Sequence, residues 1–161
     1  MVNFKNPLIF LVNDNPIYNR LLAKFIEMNG YSRIMTFGKG EECINHLSLK
    51  PEIVVLDLLL PGINGLDILP EIRKTHPESH VIFLSGQPDI EIALTTLKQG
   101  ATDYIVKDNM AFDKLIRKID NLCLIAEKLK KNQKTQRNLY IFLALYLLVF
   151  ILLIILYYAN G

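Results

Sequence analysis

Short apolar runs alternate along this chain with longer segments in which apolar residues recur at helical spacing. The runs are Pro7–Val12, Tyr31–Phe37, Ile53–Asp57, Val81–Leu84 and Tyr104–Val106. Such runs, when turn residues bound them, are typical of strands buried on both faces of a parallel sheet. Five strands that alternate with helices predict an α/β domain with one doubly wound parallel sheet and right-handed crossovers.

Polar side chains follow several of the predicted strands at the point where each strand ends. Asp14 comes after the first strand, Asp57 ends the third, Ser85 ends the fourth and Lys107 follows the fifth. The carboxyl ends of parallel strands meet at one edge of a sheet, which is where open α/β sheets place their ligand sites. The pattern therefore predicts two carboxylates, a hydroxyl and an ammonium group at one edge.

These four groups suit phosphoryl chemistry. Carboxylate oxygens are the ligands that Mg²⁺ prefers, and the ion is usually held by one or two carboxylates together with a phosphate. A lysine and a metal ion would neutralise charge on a transferred phosphoryl group, and a hydroxyl could bond one of its oxygens. We expect Asp57 to accept the phosphoryl group and the other residues to assist it.

The same residues lie in motifs that resemble the receiver domain of two-component response regulators, including the chemotaxis regulators. The resemblance covers about Leu8 to Leu124. Its motifs are Val12-Asn-Asp-Asn-Pro16, Val55-Leu-Asp57-Leu58, Leu60-Pro-Gly62 with Gly65, Leu84-Ser-Gly86, Gly100-Ala101 with Asp103-Tyr104, and Lys107. It implies a flavodoxin-like fold with five parallel strands in the order 2-1-3-4-5.

The resemblance also implies roles for individual residues. Asp57 would be phosphorylated by a histidine kinase or a phosphotransfer protein. The metal would be Mg²⁺, bound by Asp14, Asp57 and the backbone carbonyl of Leu59. Lys107 and Ser85 would bind the phosphoryl group. Ser85 and Tyr104 would act as switch residues, although a half-buried strand tyrosine such as Tyr104 can equally be a packing residue. The protein would be a phosphoacceptor that assists its own phosphorylation and dephosphorylation, not an enzyme with a separate substrate.

Three positions depart from the family pattern. Asn13 stands where the family usually has an acid that supports the metal, and loss of such a partner typically costs about 10- to 100-fold in metal affinity or activity. Asp108 replaces the proline that usually follows the lysine, and its carboxylate is a candidate partner for Lys107. Leu59 is apolar, so no side chain there can orient a hydrolytic water, and we predict slow dephosphorylation.

The net charge of +2 is unevenly distributed. Five basic residues fall after the last acid, Glu127, within a stretch without acids: Lys128, Lys130, Lys131, Lys134 and Arg137. Residues 139–158 follow as an apolar run, long enough at about 1.5 Å per residue to cross a hydrocarbon core. This pattern predicts a receiver domain over 1–127, a basic juxtamembrane helix or linker over 128–138, a transmembrane helix over 139–158 and a short tail over 159–161. The positive-inside rule predicts a single-pass membrane location with the receiver facing the cytoplasm.

Two functions remain open at this point. One is a membrane-anchored, single-domain response regulator that signals through contacts with an unknown downstream protein. The other is a pseudo-receiver, a membrane-bound interaction module that does not depend on phosphorylation; Asn13 and the missing proline favour it. No nucleic acid is expected as a partner, because nothing after Lys107 provides a helix-turn-helix. Apolar residues at helical spacing near 119–129 leave a homodimer possible.

Overall fold

The central feature of the fold is a five-stranded parallel sheet. The computed structural model describes residues 6–159, with the side chains of residues 149–159 left out of the description. The strands are β1 (Ile9–Val12), β2 (Ile34–Phe37), β3 (Ile53–Leu56), β4 (His80–Ser85) and β5 (Asp103–Val106). Their order in the sheet is β2-β1-β3-β4-β5, and every neighbouring pair is parallel. The predicted fold class and strand order are confirmed.

Helices connect the strands and end the chain. They are α1 (Pro16–Met28), α2 (Gly40–Asn45), α3 (Gly65–Thr75), α4 (Ile90–Lys98) and α5 (Ala111–Ala159), with a short 3-10 helix at Leu47–Leu49. Local chemistry explains the start of α1: Pro16 occupies its first position, and the Asn15 side chain accepts hydrogen bonds from the N–H groups of Ile17 and Tyr18 at 3.0 and 3.1 Å. An asparagine cap followed by proline is the combination that favours a helix N-terminus.

The sheet is covered on both faces. Fifteen buried residues on one face join the strands to α2 and α3, with Phe10, Leu56, Phe83 and Ile72 among them. On the other face α1 and the first turns of α5 pack on the sheet through residues such as Leu22, Leu115 and Ile119. Burial of each large aliphatic side chain contributes about 1.5–3 kcal/mol. The two clusters hold the strand ends, and therefore the polar edge, in a fixed arrangement.

Gly65 sets the path of the chain after β3. A Cβ atom at this position would lie 2.3 Å from the backbone oxygen of Asp57. The N–H of Gly65 also donates a 2.9 Å hydrogen bond to the carbonyl of Leu58. Only glycine permits this approach, so α3 begins against the backbone of Asp57, the residue that follows β3.

The chain divides into two compact units, Met1–Cys123 and Leu124–Gly161. The first contains the sheet and both hydrophobic clusters. The second consists of the later part of α5, in which the five basic residues at 128–137 are exposed. The division at Cys123 lies close to the predicted boundary at residue 127, which stays a prediction.

The structure corrects the membrane predictions. Through residue 148, where the description of side chains ends, no helix is both long and apolar enough to cross a membrane. The first half of the predicted span, 139–148, lies within that range, and its second half, 149–158, lies outside the described side chains. The predicted transmembrane helix, single-pass membrane location and cytoplasm-facing orientation are contradicted by this finding, and the membrane is withdrawn as a partner.

Candidate functional site: a carboxylate at the carboxyl edge of the sheet

Asp57 lies at the carboxyl end of β3, in the middle of the polar edge. Its N–H donates a 2.9 Å hydrogen bond to the carbonyl of Val12, which continues the pairing of β1 with β3. Only 5% of the residue is exposed. Since an unpaired buried carboxylate is strongly unfavourable, this burial requires compensating donors.

Two donors converge on one oxygen of that carboxylate. Asn13 Nδ2 donates a hydrogen bond of 2.8 Å to Asp57 Oδ2, and the Lys107 ammonium forms an ion pair with the same atom. The side chain of Lys107 is 21% exposed, and its backbone N–H bonds the carbonyl of Ser85 at 2.7 Å. Asp57 Oδ1 accepts a longer contact of 3.4 Å from the N–H of Leu59. The carboxylate is therefore held through Oδ2, and Oδ1 accepts only the longer hydrogen bond.

The orientation of the Asn13 amide follows from its second hydrogen bond. Its Oδ1 accepts from the N–H of Asn15 at 2.9 Å, which leaves the amide nitrogen facing Asp57. Asn13 is buried. A neutral donor thus occupies the position at which the family pattern has an acid.

Ser85 and Tyr104 meet through Gln87. The N–H of Gln87 donates to Ser85 Oγ at 3.1 Å, and the Tyr104 hydroxyl donates to the Gln87 carbonyl at 2.7 Å. Ser85 is the last residue of β4 and is fully buried. The two predicted switch residues are consequently joined by the loop that follows β4.

Tyr18 is a site residue that the sequence did not indicate. The Lys107 ammonium lies over its ring, 5.0 Å from the ring centroid. Burial is the main cause that raises the pKa of Tyr18 to about 12, with smaller contributions from the negative charges of Asp57 and Asp108. Tyr18 occupies the first turn of α1, one helical turn beyond Asp14, and that spacing was the available signal.

Asp108 has a different partner from the one considered above. Its carboxylate forms an ion pair with Lys114 and accepts a 2.9 Å hydrogen bond from the N–H of Met110. The hydrogen bond from Lys114 is the main cause that lowers the pKa of Asp108. Asp108 therefore stabilises the start of α5, and Lys107 pairs with Asp57.

The predicted metal ligands offer oxygen atoms of the right type. Asp14 is exposed and directly follows Asn13 in the chain, and the N–H of Leu59 contacts Asp57 Oδ1. Carboxylate and carbonyl oxygens suit Mg²⁺, which keeps much of its water shell and needs only one or two carboxylates. Within the described part of the chain, no three His, Cys, Asp or Glu side chains cluster around a possible metal position. The donor set fits Mg²⁺ with two carboxylates, one fewer than in the family pattern.

The structure thus brings Asn13, Asp57 and Lys107 into direct contact and joins Ser85 to Tyr104 through the following loop. Sequence reasoning did not indicate Tyr18, the contact of its ring with Phe112 of α5, or Gln87 as parts of the site. Tyr18 lies one helical turn from the polar edge, and this position was a signal in the sequence. Gln87 contributes only backbone atoms, so its residue type gave no signal.

Comparison with known proteins agrees with this geometry. A family model described as the response regulator receiver domain matches residues 9–120. The transcriptional regulatory protein CssR of Bacillus subtilis is 33% identical over 129 residues, which cover 80% of this chain and 56% of CssR. Chemotaxis protein CheY of Thermotoga maritima is 31% identical over 100 residues, or 62% of this chain and 83% of CheY.

Solved structures show the same fold. The receiver domain of the Francisella response regulator 1452 superposes with a TM-score of 0.68 at 25% identity, covering 75% of this chain and 99% of that one. The BeF3-activated receiver domain of DrrB, a Thermotoga maritima protein, gives a TM-score of 0.66 at 29% identity, with 72% and 96% covered.

The chain spans only part of some relatives: 56% of CssR and 29% of the nitrogen assimilation regulatory protein NtrX of Azorhizobium caulinodans. The comparisons therefore do not support the expected single-domain architecture. They do assign residues 9–120, which contain the whole sheet and the polar edge, to the receiver domain. The chain belongs to the response regulator receiver domain family and contains the receiver domain of a two-component response regulator.

Proposed function

We propose that Asp57 accepts a phosphoryl group from a histidine kinase or a histidine phosphotransfer protein. The observation that carries the proposal is the contact of this buried carboxylate with Lys107 at the carboxyl edge of the sheet. A cation fixed beside a buried carboxylate is placed to stabilise the charge of a phosphoryl group bonded to it.

In the transfer, a carboxylate oxygen of Asp57 forms a bond to phosphorus while the bond between phosphorus and the donor imidazole nitrogen breaks. The imidazole leaves with the electron pair of that bond. Lys107 would move its contact from the carboxylate to a phosphoryl oxygen, and the Ser85 hydroxyl would bond another. Oδ1 is the better placed nucleophile, because Oδ2 already accepts from Asn13 and Lys107.

Asp14, Asp57 and the carbonyl of Leu59 would hold Mg²⁺. The ion, when bound, would supply positive charge against the phosphoryl oxygens. Asn13 would keep the carboxylate oriented through its hydrogen bond, but it adds no negative charge for the metal. We therefore expect weaker Mg²⁺ binding than in a receiver with an acid at this position, by about 10-fold or more.

Phosphorylation would be read by another protein at the surface formed by the β4–α4 loop and β5. The Ser85–Gln87–Tyr104 connection supports this, since a phosphoryl group that engages Ser85 would alter the loop on which the Tyr104 hydroxyl is anchored. In this proposal the chain is a phosphoacceptor and not an enzyme with a separate substrate.

The test is labelling of the full chain by a small phosphodonor with Mg²⁺, followed by intact mass measurement. The wild type should gain one phosphoryl group, and Asp57→Asn should gain none. Asp67→Asn is the matched control, because Asp67 is an exposed carboxylate on α3, and it should behave as wild type. Beryllofluoride with Mg²⁺, the activator of the DrrB receiver domain, should bind the wild type and not Asp57→Asn.

A second candidate is an interaction module that does not depend on phosphorylation. Two observations favour it. Asn13 and Lys107 both bond one oxygen of Asp57, and the predicted Mg²⁺ site has only two carboxylates. Absence of labelling and of beryllofluoride binding in the wild type, with Asp57→Asn still functional in cells, would select this candidate over phosphorylation.

A further inference from the structure

The Tyr18 ring forms one wall of the space that contains the Lys107 ammonium. The ammonium lies 5.0 Å from the ring centroid and at the same time pairs with Asp57. A cation within about 6 Å of an aromatic face is attracted by the negative face of the ring, and this attraction is stronger where water is excluded. The ammonium is therefore held from two sides, by a carboxylate and by a ring.

The ring is itself fixed from behind. Tyr18 and Phe112 pack edge to face with centroids 5.4 Å apart, and Phe112 packs on Phe25 at the same distance. These rings come from α1 and α5, which cover one face of the sheet. A ring supported by another ring from the second helix presents its face at a defined position, which a flexible aliphatic side chain would not do.

The hydroxyl of Tyr18 plays no part in this contact. It is buried, and among the described residues it has no hydrogen-bond partner. A tyrosine hydroxyl is protonated at neutral pH, and burial raises the pKa of Tyr18 further, to about 12, so it adds no negative charge that could compete with Asp57 for the lysine. The feature that acts on Lys107 is the ring face.

We infer that Tyr18 is a positioning residue for Lys107: its ring holds the ammonium at Asp57 and thereby speeds phosphoryl transfer to that residue. The inference rests on the proposed phosphorylation of Asp57. Tyr18 is not one of the four polar groups that the sequence indicated. Its role is inferred from the contacts of its ring with Lys107 and Phe112.

The test compares variants of the full chain that separate the ring from the hydroxyl. Tyr18→Phe keeps the ring, whereas Tyr18→Leu and Tyr18→Met remove it with different shapes, so that one poorly folded variant does not decide the result. The rate of phosphorylation by a small phosphodonor should be unchanged in Tyr18→Phe and about 5-fold lower in the other two. In a Lys107→Met background the loss of the ring should have no further effect.

Chemical shifts of the Lys107 side chain provide a second readout that is independent of phosphorylation. The ε-methylene protons should be shifted upfield by the ring in the wild type and Tyr18→Phe, and this shift should vanish in Tyr18→Leu. A Tyr18→Phe rate as low as that of Tyr18→Leu, or a ring effect that persists without Lys107, would overturn the inference. A wild type that accepts no phosphoryl group contradicts the proposed function, and the Lys107 shifts then decide the placement of the ring.

Discussion

Asn13 donates a 2.8 Å hydrogen bond to the carboxylate of Asp57 across the ends of β1 and β3. An acid at position 13 would repel Asp57, whereas the amide attracts it. The site is therefore held together by its own hydrogen bonds, with Lys107 as the second donor. This relationship separates two properties that an acid would couple, namely the stability of the folded chain and the affinity of the site for Mg²⁺.

Asn13→Asp should reverse that balance. The substitution removes a buried hydrogen bond and places like charges together, which should lower the free energy of unfolding in EDTA by about 1–3 kcal/mol. It should also raise Mg²⁺ affinity by about 10-fold or more, because the metal would meet a third negative charge. Urea unfolding with and without Mg²⁺, together with calorimetric titration, measures both effects.

The matched control is Asn15→Asp, which adds the same charge two residues along. The Asn15 side chain caps α1, where an aspartate is equally favourable, so stability in EDTA should be retained. If Asn13→Asp neither destabilises the chain in EDTA nor tightens Mg²⁺ binding, the role assigned to the Asn13 amide is incorrect.

Leu59 should lengthen the life of the phosphorylated state. Its side chain is 56% exposed, and its backbone contacts Asp57, but an apolar group cannot orient an attacking water. Leu59→Asn should accelerate loss of the phosphoryl group by about 10-fold, less than the about 10²- to 10⁴-fold of a side chain that takes up a proton, because an amide only orients the water. The decay of phosphorylated protein after removal of the donor gives the rate. Leu49→Asn, at a leucine that is 50% exposed and outside the site, should decay as wild type; equal decay in both variants would refute the prediction.

Gly65→Ala should destabilise the chain. The new Cβ would lie 2.3 Å from the backbone oxygen of Asp57, so the turn between β3 and α3 must move. We expect a loss of about 1–3 kcal/mol in unfolding free energy, as for other overpacked positions. Gly38→Ala is the control, because a Cβ there meets no atom within 4 Å. Thermal unfolding of the two variants should differ clearly, and similar melting temperatures would argue against the close approach.

Tyr18 should contribute a pH dependence in the alkaline range. Its pKa is raised to about 12 in the folded chain and is about 10 in an unfolded one. The folded chain therefore retains a proton that the unfolded chain loses, and this contribution to stability is complete below about pH 10 and is lost as the pH rises toward about 12. Between about pH 9 and about pH 11, the free energy of unfolding should fall less in Tyr18→Phe than in wild type. Equal losses measured by urea unfolding would show that the hydroxyl titrates normally.

The fold was predictable because its signals are local and repeated. Buried runs such as Ile53–Leu56 have the length and composition of parallel strands, and the helices between them carry start signals such as Asn15-Pro16. The approach of Asp57 and Lys107 was predictable for the same reason, since strand ends of a parallel sheet share an edge. What the pattern could not specify was the partner of each polar group.

Contacts between side chains account for the remaining differences. Asp108 lies just before α5 and pairs with Lys114 in its first turn, whereas the sequence offered Lys107 as the candidate partner. Tyr18 reaches Lys107 because Phe112 supports its ring from another helix. The membrane prediction relied on the apolar run 139–158 and on the basic residues before it. The helix that carries them offers no sufficient span among the residues with described side chains, so this pattern of apolar and basic residues led to an incorrect result.

The most direct test of the account is the chemical location of the phosphoryl group. The full chain is phosphorylated by a small donor with Mg²⁺ and reduced with borohydride, which converts an aspartyl phosphate into homoserine, and its peptides are then sequenced by mass spectrometry. We predict homoserine at position 57 alone, absent when Mg²⁺ is removed. Homoserine at Asp14 or at another carboxylate, or no conversion in a folded chain, would contradict it.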